Sequence, residues 1–329
     1  MGKKIGILGA GSWGITLAIL LEKTGNTVTL WEPLQETYCL LCHKRENIIY
    51  FPGFKIPDSV LITQSIKQTS NNSEFLILVV RSVFFREAVR KLKPYYKGQP
   101  LCIATKGLEI KSGKRMSEIL SEELGEKTAF GVLSGPTIAK EVALCKPSAA
   151  VIATTSRKLA DTFQKMFDCK IFRIYTTRDI TGVEIGGSFK NVLAIGAGII
   201  DGMNLGINTK SSYLTRGLNE MINAGLVLGA KEKTFRGLSG IGDLITTSFS
   251  PDSRNRSFGE AIITIGKDEY LKNNRTVIEG IPATKAFYTL QKKNTITMPI
   301  TESLYNIIYR NKSPFDEITK LMGRKLKEE

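Results

Sequence analysis

The sequence predicts an α/β fold in two parts, a doubly wound and mainly parallel sheet domain followed by an all-helical domain. Three observations carry this. The first half alternates short β-rich runs with helical periodicity, the second half keeps a 3.6-residue period with no strands between, and 329 residues are enough for two cores. The expected domains are 1–183 and 184–329, with no repeat or low-complexity linker to mark the boundary.

In chain order, the predicted strands cover 4–8, 27–32, 75–80, 101–105, 129–133, 149–153 and 171–175. Helical spacing fills several of the gaps, at 12–23, 83–92 and 115–124. Beyond residue 180 the helical runs are 187–203, 210–228 and 256–265, and 201–210 reads as a loop into a long helix.

Composition narrows the function. With 42% hydrophobic and 23% charged residues the chain is globular, and its formal charge is +15. Up to residue 183 there are 26 Lys+Arg against 16 Asp+Glu, and 20 against 15 after it. The excess is therefore spread out, without the basic arm of a nucleic-acid binder, and favours anionic small molecules. His43 is the single histidine, so His-rich metal sites and paired catalytic histidines are excluded, and proton chemistry falls to Lys, Asp or Glu.

The start of the chain superficially resembles an export signal, with Lys3 and Lys4 before an uncharged stretch. That stretch contains Gly6, Gly9, Gly11 and Gly14, is short for a membrane span, and has no convincing cleavage site. A cytoplasmic location with reduced cysteines is expected.

A better account of the N-terminus is Gly9-Ala10-Gly11-Ser12-Trp13-Gly14, which follows a strand and opens a helix. A second strand then ends at Glu32, 18 residues past Gly14. This is the context a Rossmann-type dinucleotide fingerprint requires. Gly9 permits the tight turn, Gly11 admits the pyrophosphate, and Gly14 lets helix and strand pack closely. Glu32 would accept from the adenosine ribose hydroxyls and repel a 2′-phosphate, favouring NAD over NADP. Nearby Lys44 or Arg45 could still accommodate that phosphate.

Cys39-Leu40-Leu41-Cys42-His43 matches a haem-attachment pattern and half of a zinc site. The first needs an exported chain and the second needs two more ligands, whereas Cys102, Cys145 and Cys169 stand singly. The pair is expected to pack in the core from one helix, and no metal site is expected.

Further motifs follow in order: Ser134-Gly135-Pro136-Thr137-Ile138-Ala139-Lys140-Glu141-Val142, Gly182-Val183-Glu184-Ile185-Gly186-Gly187-Ser188-Phe189-Lys190-Asn191-Val192, Leu238-Ser239-Gly240-Ile241-Gly242-Asp243-Leu244, Ser253-Arg254-Asn255-Arg256, Val277-Ile278-Glu279-Gly280 and Met298-Pro299-Ile300-Thr301. Together they make the sequence resemble the bacterial soluble type of NAD(P)-dependent glycerol-3-phosphate dehydrogenase, from Ile5 to about Leu326. The resemblance implies reversible hydride transfer between NAD(P)H and dihydroxyacetone phosphate, giving glycerol 3-phosphate for phospholipid synthesis. It also implies a homodimer, while the spread of charge points to no nucleic-acid partner and the short N-terminal stretch to no stable membrane insertion.

By the same resemblance, Lys190 transfers the proton, Lys106 faces the substrate and polarises its carbonyl, and Asp243 orients Lys190 or bonds the substrate hydroxyl. A plainer role for Asp243 is a helix N-cap before Leu244. Thr247 adds a hydroxyl one turn later, and Ser253, Arg254 and Asn255 form the phosphate clamp, with Arg254 also reaching the cofactor. Gly135, Thr137, Ala139 and Asn191 line the cleft, Ser12 and Trp13 join the glycine loop against the cofactor, and Val277 and Glu279 close over it. Lys106 serves both ligands. Three departures stand out: Val80-Arg81 where many relatives have Val-Pro, Thr137 where Ser is usual, and Glu32-Pro33 where a neutral or basic pair accompanies NADP.

Other readings remain open from the sequence. One is a β-hydroxyacid or 6-phosphogluconate type of dehydrogenase, which also uses a lysine on the first helix of its second domain. Another is a non-catalytic NAD(H)-responsive protein, and a third is membrane association through the basic surface.

Overall fold

A computed structural model describes residues 2–274 and 278–325. Its sheet contains β1 (Lys4–Leu8), β2 (Thr27–Trp31), β3 (Leu61–Thr63), β4 (Phe75–Leu78), β5 (Leu101–Ile103), β6 (Phe130–Ser134), β7 (Ser148–Ala153) and β8 (Phe172–Thr177). The order is β3-β2-β1-β4-β5-β6-β7-β8, parallel throughout except for the antiparallel pair β6 and β7. In the centre, Ile7 lies beside Leu30 on one side and Ile77 on the other. Both sheet faces are covered by helices, so the central strands read as continuous apolar runs.

The helices of the sheet domain are α1 (Ser12–Lys23), α2 (Gln35–Lys44), α3 (Ile66–Asn71), α4 (Phe85–Leu92), α5 (Met116–Leu124), α6 (Ala139–Ala143) and α7 (Arg157–Phe167). One face packs Ile5, Ile7, Ile15 and Phe163, and the other packs Leu8, Leu76, Phe85 and Ile119. Strand order reverses between β1 and β4. A crevice therefore opens at the carboxyl ends of these strands, where α/β sheets bind ligands.

The helical domain consists of α8 (Ile180–Gly202), α9 (Gly206–Val227), α10 (Glu232–Phe235), α11 (Asp243–Phe249), α12 (Arg254–Thr264), α13 (Lys267–Asn273), α14 (Gly280–Asn294), α15 (Pro299–Arg310) and α16 (Pro314–Met322). Helix α8 is its axis. It is long and apolar enough to cross a membrane, but that stretch is wholly buried inside the protein. Its Phe189 ring centroid lies 4.6 Å from that of Phe287, and Phe235 and Phe258 share the same core. Where α8 crosses α12, a Cβ on Gly198 would strike the Arg256 carbonyl oxygen, and one on Gly259 would strike that of Ile195. The two backbones touch because neither residue has a side chain there.

Several expected bounds shift. Strand β3 and helix α3 were not expected, because β3 is a three-residue strand at the sheet edge beside a polar stretch. Helix α8 starts at Ile180 rather than 187, capped by Asp179, whose Oδ1 accepts from Gly182 N at 2.9 Å. Residues 201–210 are not a loop. Asp201 and Gly202 finish α8 and Gly206 already begins α9, so Lys210 is helical and buried, donating to Asp201 Oδ2 at 2.8 Å. Cys39 and Cys42 do lie on one helix, α2, but Cys42 is exposed and does not join the core. Strand β2 ends at Trp31, leaving Glu32 as the first residue beyond it.

Candidate active site

A cleft of about 900 Å³ runs from the glycine loop, along the carboxyl ends of β1 and β4, to the face of α8. At the loop, Gly9 adopts φ +119°, in the region that favours glycine. A Cβ on Gly14 would collide with the Gly9 carbonyl oxygen, so α1 lies directly against the turn. A Cβ on Gly11 would meet nothing within 4 Å, leaving open space above it. No side chain caps the N-terminus of α1, and its first turn holds no acidic residue. Unpaired N–H groups over an open cradle suit a pyrophosphate, and the loop fits a dinucleotide.

Ser12 and Trp13 line the cleft, but each has structural partners. Ser12 Oγ donates to the Tyr50 carbonyl oxygen at 2.7 Å, and the Trp13 ring centroid lies 6.4 Å from that of Phe172. Glu32 lines the far end and is buried, with Oε1 accepting from Leu34 N at 2.9 Å. Burial raises its pKa against the pull of that bond and of Arg81.

At the other end lies a cluster built by packing around α8. Gly186 lets the helix press on the Ser239 carbonyl oxygen, and Gly187 abuts Ser134 Oγ and the Lys106 stem. One turn after Gly186, Lys190 meets Asp243, the first residue of α11, which emerges from the wide π-type turn Leu238–Gly242. Lys190 Nζ donates to Asp243 Oδ1 at 2.5 Å and to Thr247 Oγ1 at 2.7 Å. Lys106 Nζ donates to the other oxygen, Asp243 Oδ2, at 2.7 Å and to the Gly135 carbonyl oxygen at 3.3 Å. Asp243 thus bridges two lysines and is only 1% exposed. The N-cap of α11 is Gly242 and not Asp243, whose carboxylate caps no helix because it is engaged with the lysines.

Burial lowers the Lys190 pKa to about 8, with Lys106 adding to the fall and Asp243 opposing it. An ammonium with three donors uses two here, leaving one for an oxygen in the cleft.

Thr137 and Ala139 line the cleft, whereas Gly135 does not and reaches it through Lys106. Asn191 and Asn255 line it too, but their amides brace the helices: Asn255 Nδ2 donates to Asn191 Oδ1 at 2.9 Å, and Asn255 Oδ1 accepts from Gly280 N at 2.8 Å. Ser253 is the N-cap of α12, its Oγ accepting from Arg256 N at 3.3 Å. Arg254 follows in the first turn and lines the cleft, with no hydrogen bond or ion pair to a described residue. Glu279 Oε2 accepts from Ser82 Oγ at 2.6 Å, and burial raises its pKa. Val277 lies outside the described residues.

The site also holds residues no motif pointed to. Ser82 fixes Glu279 and Tyr50 rims the glycine loop, while Lys140, which does belong to the motif that begins at Ser134, pairs with Asp252 at 3.6 Å between the two halves. Arg81 stood out in the sequence only as a departure from Val-Pro. Among the described residues, no cluster of His, Cys, Asp or Glu could hold a metal ion.

The model of the NAD-dependent glycerol-3-phosphate dehydrogenase N-terminus matches residues 4–160, and that of its C-terminus matches 179–319. The chain belongs to that family. Among curated relatives, the glycerol-3-phosphate dehydrogenase [NAD(P)+] of Syntrophotalea carbinolica is 40% identical over 99% of this chain and 99% of its own length. That of Pseudoalteromonas translucida is 38% identical over 98% and 97%. The crystal structure of glycerol-3-phosphate dehydrogenase from Coxiella burnetii superposes with a TM-score of 0.94 at 33% identity, covering 98% of this chain and 99% of its own. The family is one of oxidoreductases that use NAD or NADP, and its two matched segments fall on the sheet half and the helical half described above.

Proposed function

We propose that the chain interconverts dihydroxyacetone phosphate and sn-glycerol 3-phosphate, and that the product feeds phospholipid synthesis. The observation that carries this is the Lys190–Asp243–Lys106 bridge, set in the same cleft as an open dinucleotide loop. When bound, NAD(P)H supplies the hydride for C2 of the ketone. Lys190 donates a proton to the carbonyl oxygen as the C=O π bond becomes an O–H and a C–H bond. A pKa of about 8 leaves it mostly protonated at neutral pH, yet able to accept the proton in the reverse direction. Lys106 stabilises the developing alkoxide, and Asp243 holds both ammonium groups in place.

Arg254 binds the substrate phosphate, since its guanidinium fork matches phosphate oxygens and makes no hydrogen bond or close ion pair with a described residue. Asn255 and Asn191 position that arginine by joining α12, α8 and the start of α14. Glu32 disfavours the 2′-phosphate of NADP, and Glu279, with Val277 beside it in sequence, closes over the cofactor. The domains divide just before α8, a few residues ahead of the expected 183, into a cofactor half and a substrate half, and the protein works as a cytoplasmic homodimer.

Oxidation of NADH on adding dihydroxyacetone phosphate tests the reading. Turnover is expected. Preferential turnover with a 2- or 3-oxo acid would overturn it.

A further inference from the structure

Arg81 follows β4 and caps the short 3-10 turn Ser82–Phe84. Its guanidinium carbon lies 5.3 Å from the centroid of the Tyr50 ring, and it lines the dinucleotide cleft, half-buried. No hydrogen bond or ion pair to a described residue engages the guanidinium. Five residues on, Arg86 shows the usual arrangement, paired with Glu109 at 2.7 Å and Glu123 at 2.8 Å.

Two further observations locate this free cation. Its charge is felt by Glu32 at one end of the cleft and by Glu279 and Arg254 at the other, so it stands between the adenosine and nicotinamide ends. The ring beneath it is tied to the glycine loop. The Tyr50 carbonyl accepts from Ser12 Oγ at 2.7 Å, Tyr50 N donates to Asn47 Oδ1 at 3.0 Å, and Asn47 Nδ2 donates to the Ala10 carbonyl oxygen at 2.9 Å.

Resting on the reading that this cleft holds NAD(P), we infer that Arg81 binds the cofactor pyrophosphate, opposing the N-terminus of α1 so that the diphosphate is clamped from two sides. A planar guanidinium can bond two phosphate oxygens at once while stacked on an aromatic ring. A chain with proline at this position would lack the clamp.

The test is calorimetric titration of three nucleotides, NADH, NADPH and ADP-ribose, and separately of dihydroxyacetone phosphate, into wild type, Arg81→Met and Arg81→Lys, with melting temperatures alongside. Arg81→Met is expected to weaken all three by a similar factor, about tenfold, the scale of one charge-assisted bond. Arg81→Lys should recover part of the loss, and the deficit should shrink with added salt. Loss confined to NADPH would place Arg81 at the 2′-phosphate, and loss confined to dihydroxyacetone phosphate would place it at the substrate. Either result overturns the clamp, as does unchanged binding. Wild type that binds none of the three nucleotides would overturn the dinucleotide reading as well.

Discussion

Lys190 Nζ lies 2.5 Å from Asp243 Oδ1, and both residues are buried. The other Asp243 oxygen holds Lys106, so one carboxylate fixes two cations where, in the proposed reaction, a carbonyl oxygen gains negative charge. Removing any of the three unbalances the other two, and this makes the site testable.

Asp243→Asn should lower the Lys190 pKa further, because the carboxylate is what opposes the effect of burial. Ketone reduction needs protonated Lys190, so its kcat/KM should fall as pH rises through about 8 in wild type. In the variant that limb should move to lower pH. In the oxidation direction the rising limb should move the same way. Measured pH profiles in both directions check the sign, and a limb that stays in place contradicts it.

Glu32→Gln should narrow the preference for NADH over NADPH by about tenfold, since a carboxylate repels the 2′-phosphate and an amide of the same shape does not. The amide oxygen can still accept from Leu34 N, as Glu32 Oε1 does at 2.9 Å, which keeps the loop in place. The ratio of kcat/KM for the two cofactors is the readout, and an unmoved ratio argues against the role.

Gly198→Ala should destabilise the helical domain by about 1–3 kcal/mol or more, because the new methyl would land on the Arg256 carbonyl oxygen. The strain falls two residues from Arg254, so KM for dihydroxyacetone phosphate should rise more than the Kd for NADH. Thermal melts and the two constants decide this. A stable variant with unchanged KM would mean that the crossing does not position the arginine.

Glu184→Ala should cost about 3 kcal/mol of stability through loss of a buried charge pair. Glu184 accepts from Ser117 N at 2.8 Å and from Arg115 Nη1 at 2.9 Å, fastening α5 to α8. Denaturant unfolding measures the loss, and NADH binding to the folded variant should survive because this contact lies away from the cleft lining.

Much of this was legible in the sequence for local reasons. Apolar runs such as 4–8 and 75–78 favour strands on local grounds, and Gly9 and Gly14 announce a turn that only glycines permit, with Gly11 leaving open space above it. What escaped depends on partners distant in the chain. The start of α8 was hidden because Gly182, Gly186 and Gly187 weaken helical propensity locally, and their value appears only where Asp179, Ser239 and Ser134 press against them. The first turn of α9, before the expected start at Lys210, read as loop because the contact between Lys210 and Asp201 lies across a helix–helix turn. The amides of Asn191 and Asn255 looked free for substrate, but only the packed helices reveal that they bond each other. Ser82 and Tyr50 carry no motif, and their places follow from the tertiary fold alone.

The most direct test of the central claim follows NADH oxidation by dihydroxyacetone phosphate in wild type and Lys190→Met, with NADH affinity measured on both. The proposed role predicts turnover in wild type and a fall of roughly 10²–10⁴-fold in the variant, with NADH binding retained. Turnover near the wild-type rate in Lys190→Met would contradict it.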